Sequence, residues 1–243
     1  MSSPDIVQIR AVGEAYARTL DADAQRYWSE NSERIARNLA KAAALGAERR
    51  IMRVLDVGPS FQTVILRRLF PELTVETMGW EDSRFRDGSG AAHHALDLNA
   101  TVAPETCPAP APYDLILFLE VIEHLHVSPR HVLRYLHRCL APGGVLIVST
   151  PNAAFLRNRW RLLWGINPFE RLREDAANPG HFREYTRSEL LADCRECGLR
   201  VLESRIENLY RFGSGSGRFF SRITRWMPEG LRHDLTVVAQ RDS

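Results

Sequence analysis

Ile51-Met52-Arg53-Val54-Leu55-Asp56-Val57-Gly58-Pro59-Ser60-Phe61-Gln62 is where the character of the chain changes. Upstream, from about residue 5 to 47, small and apolar residues recur three to four apart among Arg, Glu and Asp, as at Tyr27, Ile35, Leu39 and Ala43. That spacing predicts helix, with Gly46 as its stop. Residues 51–57 form instead a short apolar run that ends in the turn Asp56–Ser60 and gives way to a helical stretch from Gln62 to Phe70. Strand, tight turn, helix is the opening of a βαβ unit.

Downstream the alternation continues. Leu73–Trp80 and His94–Leu98 read as strands, and Tyr113–Leu119 (YDLILFL) is nearly all apolar, as a strand covered on both faces must be. A helix over Ser128–Leu140 has Pro129 in its first turn, Ala141-Pro142-Gly143-Gly144 is a turn, and Val145–Ser149 is the next buried strand. The pattern then breaks into a stretch rich in Arg and Trp, Pro151–Gly180. A helix over Arg187–Cys197, a strand over Leu199–Glu203, a loose Gly213–Gly217 segment, a basic helical piece and a last strand over Leu235–Ala239 complete the order. No internal repeat is visible. The succession predicts an α/β, Rossmann-like, doubly wound fold with a seven-stranded, mostly parallel sheet, whose ligands bind beyond the carboxyl ends of the strands. One domain, 1–243, accommodates all of it: an N-terminal helical extension (1–48), a cofactor-binding core (49–152), a lid between strands five and six (153–180), and the rest of the sheet with a basic aromatic helix (181–243).

A chain of 243 residues is long enough for one full core. Its 44% hydrophobic and 26% charged residues are those of an ordinary globular protein, and a formal charge of +2 calls for no polyanion partner while leaving room for a local basic surface. Cys107, Cys139, Cys194 and Cys197 are too few for a disulfide framework and read as reduced thiols. Cys194 and Cys197 form a C-x-x-C with no second pair to complete a zinc site, and read as two thiols on a helix. The N-terminus lacks a signal-peptide pattern and no apolar run reaches ~18 residues, so a cytoplasmic, non-spanning protein is expected.

Four stretches in order, VLDVGPS (Val54–Ser60), MGWE (Met78–Glu81), ALDLN (Ala95–Asn99) and LAPGGVLIVSTPN (Leu140–Asn152), resemble the class I S-adenosylmethionine-dependent methyltransferases. The resemblance runs from about Ile51 to Ala239. It implies S-adenosylmethionine as cofactor, with Asp56, Gly58, Pro59 and Ser60 near its methionine part, Glu81 on the ribose hydroxyls, Asp97 and Leu98 at the adenine, and Leu119 and Glu120 at the end of the fourth strand. A carboxylate at Glu81 can accept both ribose O–H donors, and Gly58 lets the backbone approach a ligand. Pro59, Ser60 and Phe61 depart from the pattern, standing where further glycines often occur. A dinucleotide needs those glycines for its pyrophosphate, which S-adenosylmethionine lacks, so the departure argues against NAD more than against a methyl donor. The bland alternative is a non-binding domain in which Gly58-Pro59 is only a turn.

Glu120-Val121-Ile122-Glu123-His124 follows the fourth strand. If the chain turns helical after Leu119, positions 120, 123 and 124 share a face. Two close carboxylates raise one another's pKa, and a divalent cation removes the conflict. With the later His181-Phe182-Arg183-Glu184-Tyr185-Thr186, this E-x-x-E-H resembles the metal-dependent small-RNA 3′-terminal 2′-O-methyltransferases and, more loosely, the ubiquinone-pathway O-methyltransferases. The first resemblance implies Mg²⁺ or Mn²⁺ held by Glu120, Glu123, His124 and His181. Such an ion lowers a hydroxyl's pKa and orients a vicinal diol toward the sulfonium methyl. His124 or His181 could accept the proton, though not through a nitrogen already bound to metal. In a metal-free reading, the acid contacts the cofactor or caps the next helix, and Thr186 with Glu189 forms a capping box. His93, His94, His126, His131, His137 and His233 read as surface or packing residues.

Arg157–Trp164 and Arg218–Met227 both mix arginines with aromatics. They could stack on sugars or bind a phosphate-bearing carrier, grip RNA, or form an amphipathic surface for a membrane or for a second subunit of a homodimer. The default is two lid helices, each burying one apolar stripe. The expected reaction is O-methylation of a saccharide or glycoconjugate. A phenolic, quinone-like or natural-product acceptor and an RNA 3′-terminal ribose are the alternatives, RNA being disfavoured by the modest net charge. A cofactor-binding regulatory subunit is the non-enzyme alternative, against which Glu81, Asp97 and the E-x-x-E-H set count.

Overall fold

β1 (Arg53–Val57) runs between two parallel neighbours, β2 (Thr74–Gly79) and β4 (Tyr113–Leu119), so that Asp56 lies level with Thr77 on one side and Leu117 on the other. β3 (His93–Ala95) pairs in parallel beyond β2, and β5 (Leu140–Pro151) beyond β4. β7 (Asp234–Arg241) is antiparallel to both β5 and β6 (Leu199–Glu207), giving the order β3-β2-β1-β4-β5-β7-β6. The winding reverses between β1 and β4, the switch point at which open α/β sheets bind ligands. This computed structural model describes residues 5–80, 82–85, 90–108, 111–175, 179–213 and 215–242.

Both faces of the sheet are covered, which is why its central strands are largely apolar. On β4, Leu115, Leu117 and Leu119 join the core beneath α1 (Ile6–Ala17), α2 (Ala22–Glu48) and α3 (Phe61–Leu69). Ile116 and Phe118, one residue out of phase, join the core beneath α4 (Pro129–Cys139) and α6 (Arg187–Glu196). The four cysteines are free and buried, and among the described residues no helix is long and apolar enough to cross a membrane.

Three local expectations change. The N-terminal helix is two helices: Asp21 accepts a hydrogen bond from the Ala24 N–H at 2.8 Å and starts α2 afresh. Gly46 does not stop α2, which continues to Glu48. Gly13 is instead the glycine with a task there, since a Cβ on it would lie 2.0 Å from the Trp28 ring. The expected turn at Ala141–Gly144 is absorbed into β5 as an irregularity: Tyr113 pairs with Leu140 but Leu115 with Val145, and Gly143 takes up the bend at φ +75°.

α5 (Leu156–Leu163) and α7 (Gly215–Ile223) touch each other through Trp160 and Phe220, with ring centroids 6.5 Å apart. α5 does not bury the apolar stripe expected of a lid helix. Its one buried residue is Asn158, and Leu163 and the following Trp164 are 79% and 68% exposed.

Candidate functional site

The loop after β1 is built so that backbone, not side chain, faces the sheet's carboxyl end. Gly58 holds φ +78°, its N–H donates to the Met78 carbonyl at 2.8 Å, and a Cβ there would lie 2.7 Å from Val121 Cγ2. Gly79, at φ +122°, ends β2 beside it. Together with Pro59, Trp80, Asp97, Leu98 and His124, these glycines line a cleft of about 430 Å³. Asp97 begins the short helical turn Leu98–Val102, accepting the Asn99 N–H at 2.9 Å.

Four of the nine residues expected at the cofactor, Gly58, Pro59, Asp97 and Leu98, therefore line the cleft. The others do not. Asp56 is fully buried, accepting hydrogen bonds from Gln62 and Thr63, and so ties the start of α3 to the end of β1. Burial pushes its carboxyl up to about 7, against the pull of those bonds and of Arg67. Ser60 is the N-cap residue of α3, its N–H donating to Thr63 Oγ1 at 3.1 Å, and Leu119 packs in the core. Glu81 lies outside the described residues.

Glu120 departs furthest from expectation. The chain does not turn helical after Leu119: Glu120 takes a left-handed φ of 56°, and Ile122–His124 form a single 3₁₀ turn. The reversal separates the two glutamates of the motif. Glu120 receives Arg34 Nη1 at 2.5 Å and Ser149 Oγ at 2.7 Å, one on each carboxylate oxygen. Arg34, from α2, also lies 3.5 Å from Asp234. With its carboxylate taken up in this way, Glu120 is not in the group of ligand atoms that converges with Glu123.

The remaining three do converge. Ligand atoms of Glu123, His124 and His181 lie within 4.8 Å of one another. Two backbone contacts bring the distant His181 in: the Phe182 and Arg183 N–H groups donate to the Glu123 carbonyl at 2.8 and 3.2 Å. Gly180, at φ +89°, turns its carbonyl to His124 Nδ1 at 3.0 Å. A carbonyl only accepts, so Nδ1 carries the proton and Nε2 keeps its lone pair when the ring is neutral. The two rings meet edge to face with centroids 4.7 Å apart.

Electrostatics differ across the group. Glu123 is 1% exposed and receives Thr150 Oγ1 at 3.0 Å; burial first, then the Glu120 charge, raises its carboxyl to about 8. Burial and the neighbouring His181 lower the pKa of His124. Burial also depresses His181, but Glu184, whose carboxylate lies 3.6 Å from Nδ1, with Glu123 and Glu170, more than offsets it, and the net shift is upward. The arrangement thus pairs a neutral imidazole donor with one that holds a proton readily. The capping box of Thr186 and Glu189 is also present, so this stretch both starts α6 and delivers His181.

Arg34, Thr150 and Glu184 are the participants that sequence reasoning missed. Arg34 is one arginine among many on a helix, and nothing local distinguishes it. Glu184 follows His181 by three residues inside the motif already singled out, and that spacing could have marked it. Two histidines read as packing residues have acidic partners, His94 with Glu76 at 2.8 Å and His233 with Asp234 at 3.1 Å.

The family described as "Methyltransferase domain" matches residues 27–204. A ubiquinone biosynthesis O-methyltransferase of Pseudomonas aeruginosa is 36% identical over 115 residues, covering 46% of this chain and 47% of that one. A Caulobacter protein of the same name is 37% identical over 65 residues, covering 26% and 25%. The chain spans about half the length, or less, of the curated relatives it matches. Among solved structures, the 1,6-didemethyltoxoflavin-N1-methyltransferase of Burkholderia thailandensis, with S-adenosylhomocysteine bound, aligns with a TM-score of 0.55 at 17% identity over 98% of this chain and 88% of that one. A SAM-dependent methyltransferase from Archaeoglobus fulgidus aligns with a TM-score of 0.53 at 15% identity over 89% and 99%. At such identities the likeness is one of fold. The chain belongs to the methyltransferase-domain family and has the fold of the class I S-adenosylmethionine-dependent methyltransferases.

Proposed function

We propose that this chain is an S-adenosylmethionine-dependent O-methyltransferase acting on a hydroxyl with a second oxygen beside it, and that Glu123, His124 and His181 hold a divalent cation, Mg²⁺ or Mn²⁺. The observation that carries the reading is the convergence of one buried carboxylate and two imidazoles at the rim of the cleft lined by Gly58, Gly79 and Asp97. The donor set suits such an ion. A buried carboxyl raised to about 8 has burial that a cation would offset, and His124, with Nδ1 committed to Gly180, offers Nε2. Three mixed oxygen and nitrogen donors leave an octahedral ion positions for acceptor oxygens and water. When bound, the ion would acidify the acceptor hydroxyl and orient the vicinal oxygen pair.

The chain's own residues supply the rest of the chemistry. Gly58 and Gly79 allow backbone contact with the methyl donor, and Asp97 with Leu98 flanks the adenine side. Glu184 faces His181 Nδ1, which leaves Nε2 as the nitrogen that meets either the cation or, where the cation does not occupy it, the acceptor's proton. The relatives named as ubiquinone biosynthesis O-methyltransferases favour a phenolic or quinone-like acceptor over the saccharide anticipated from sequence. Four free, buried cysteines support work in the reducing cytoplasm.

Calorimetric titration of Mn²⁺ should give saturable binding that Glu123→Gln and His181→Ala abolish, with S-adenosylmethionine affinity retained in both variants. Methyl transfer to a panel of catechols, sugar diols and RNA 3′ ends should stop in EDTA and return with Mn²⁺, and the panel separates the acceptors. Activity undiminished by chelator or by Glu123→Gln refutes the cation. Transfer to amines alone refutes O-methylation.

A further inference from the structure

Positive charge is in excess along one cleft of this chain. A cleft of about 770 Å³ opens between α2, the segment after β6, and α7, and six arginines line it: Arg37, Arg211, Arg218, Arg222, Arg225 and Arg232. Only two acids, Glu33 and Glu207, stand among its lining residues. Six guanidiniums against two carboxylates leave an excess of four positive charges, larger than the formal +2 of the whole chain. The rest of the molecule is therefore net acidic, and the field is focused on this cleft. It shares no lining residue with the cofactor cleft and none with the Glu123–His124–His181 group.

The arginines are not spent on each other's counter-ions. Glu33 is already shared by Arg37 at 3.2 Å, Arg211 at 3.9 Å and Arg10 at 3.5 Å. Among the described residues, Arg218, Arg222 and Arg225 have no carboxylate within ion-pair distance. They follow one another at four and three residues along α7 and the 3₁₀ turn Thr224–Trp226, and so form one row. Like charges at that spacing destabilise a helix, and an anion laid along the row removes the penalty. Beside them, Ser221 Oγ lines the cleft, buried and without a hydrogen-bond partner. A spare hydroxyl amid unpaired guanidiniums is a donor set lacking its acceptor.

We propose that this cleft binds a ligand bearing two adjacent phosphoryl groups, with Arg218, Arg222 and Arg225 as its principal contacts and Ser221 as a hydroxyl donor. Two features select the ligand class. Guanidinium forks match the paired oxygens of phosphate, and every basic group here is an arginine. One phosphate brings about −1.5 to −2 charges and two bring about −3 to −4, the amount that balances the excess. The diphosphate can belong to a soluble molecule or to a lipid headgroup.

Titration calorimetry with inorganic pyrophosphate tests the site on the intact protein. Wild type should bind pyrophosphate about tenfold or more tightly than orthophosphate, more weakly as salt is raised. The variant R218Q/R222Q/R225Q, changed at exposed positions only, should lose about tenfold or more in pyrophosphate affinity while its melting temperature and S-adenosylmethionine affinity stay at wild-type values. Ser221→Ala should weaken binding by a smaller factor. Cosedimentation with phosphatidylcholine vesicles, with and without diacylglycerol pyrophosphate, separates the sources. Pyrophosphate-displaceable binding to the acidic vesicles assigns a lipid headgroup, and binding of pyrophosphate without vesicle association assigns a soluble ligand. Absence of pyrophosphate binding at millimolar concentration, or equal binding by the triple variant, overturns the proposal.

Discussion

Replacing Arg34 by Met is the substitution whose consequence can be worked out most fully. The guanidinium is 8% exposed and touches Glu120 at 2.5 Å and Asp234 at 3.5 Å, whose side chains are 12% and 1% exposed. Methionine fills most of the volume but leaves both carboxylates facing a vacated charge. They are not left bare: Glu120 keeps Ser149, and Asp234 keeps the Leu209 and Tyr210 N–H groups and His233. Breaking a buried pair by removing one partner costs about 3–5 kcal/mol. At about 2–4 °C per kcal/mol for a chain of this size, the melting temperature should fall by roughly 10 °C. The pH dependence carries a sign. Burial would raise the Asp234 carboxyl, but His233 and Arg34 bring it down to about 2, so its favourable contribution is present above the ordinary carboxylate range and is lost as pH falls toward 2. Without Arg34 the Asp234 carboxyl takes up its proton at higher pH, so the deficit against wild type should be full at pH 7 and shrink on acidification. Arg34→Lys, which keeps the charge but not the fork, should recover part of it. Urea denaturation across pH, with Glu120→Gln alone and combined, supplies the test, and the cycle should return a coupling of about 2 kcal/mol. A loss under about 1 kcal/mol, a deficit constant with pH, or additive single effects would refute the reasoning.

Three more substitutions have consequences set by the same structure. Gly58→Ala forces a Cβ against Val121 at a left-handed φ, so S-adenosylmethionine binding should weaken by about tenfold or more in calorimetry, and unaltered affinity would remove the loop from the cofactor site. Asp56 holds its proton more tightly folded than unfolded, with a carboxyl at about 7, so its contribution is lost as pH rises from the ordinary carboxylate range through 7. Asp56→Asn should flatten the decline of stability over that interval, and an unchanged slope in denaturant melts would contradict the assignment. Gly13→Ala, with its Cβ 2.0 Å from Trp28, should cost about 1–3 kcal/mol and shift the tryptophan fluorescence, while a silent substitution would mean that α1 is not seated on α2.

What was legible in the sequence was whatever the backbone expresses through a period or a dihedral requirement. The apolar run Tyr113–Leu119 gave β4 to the residue, and Gly58 announced the tight turn at the end of β1 because only glycine is at ease there. His181 could be placed near Glu123 from motif resemblance, and two backbone hydrogen bonds to the Glu123 carbonyl make that meeting happen. Glu120 was misread for a physical reason. A left-handed glutamate has no sequence signature, since its strain of about 1–3 kcal/mol is met by contacts made elsewhere in the chain. Here those contacts include Arg34, eighty-six residues upstream, together with Ser149 and a Glu120 N–H bond to the Ser149 carbonyl. That turn divides the labour of the E-x-x-E-H motif. One acid faces an arginine from α2 and anchors that helix to the end of β4, while the other, three residues on, lies buried beside two imidazoles with no arginine in ion-pair distance among the described residues. α2 therefore acts on the site from behind. By neutralising Glu120 it lowers the like-charge repulsion felt at Glu123, so weakening Arg34 should loosen the helix and perturb the Glu123–His124–His181 group together.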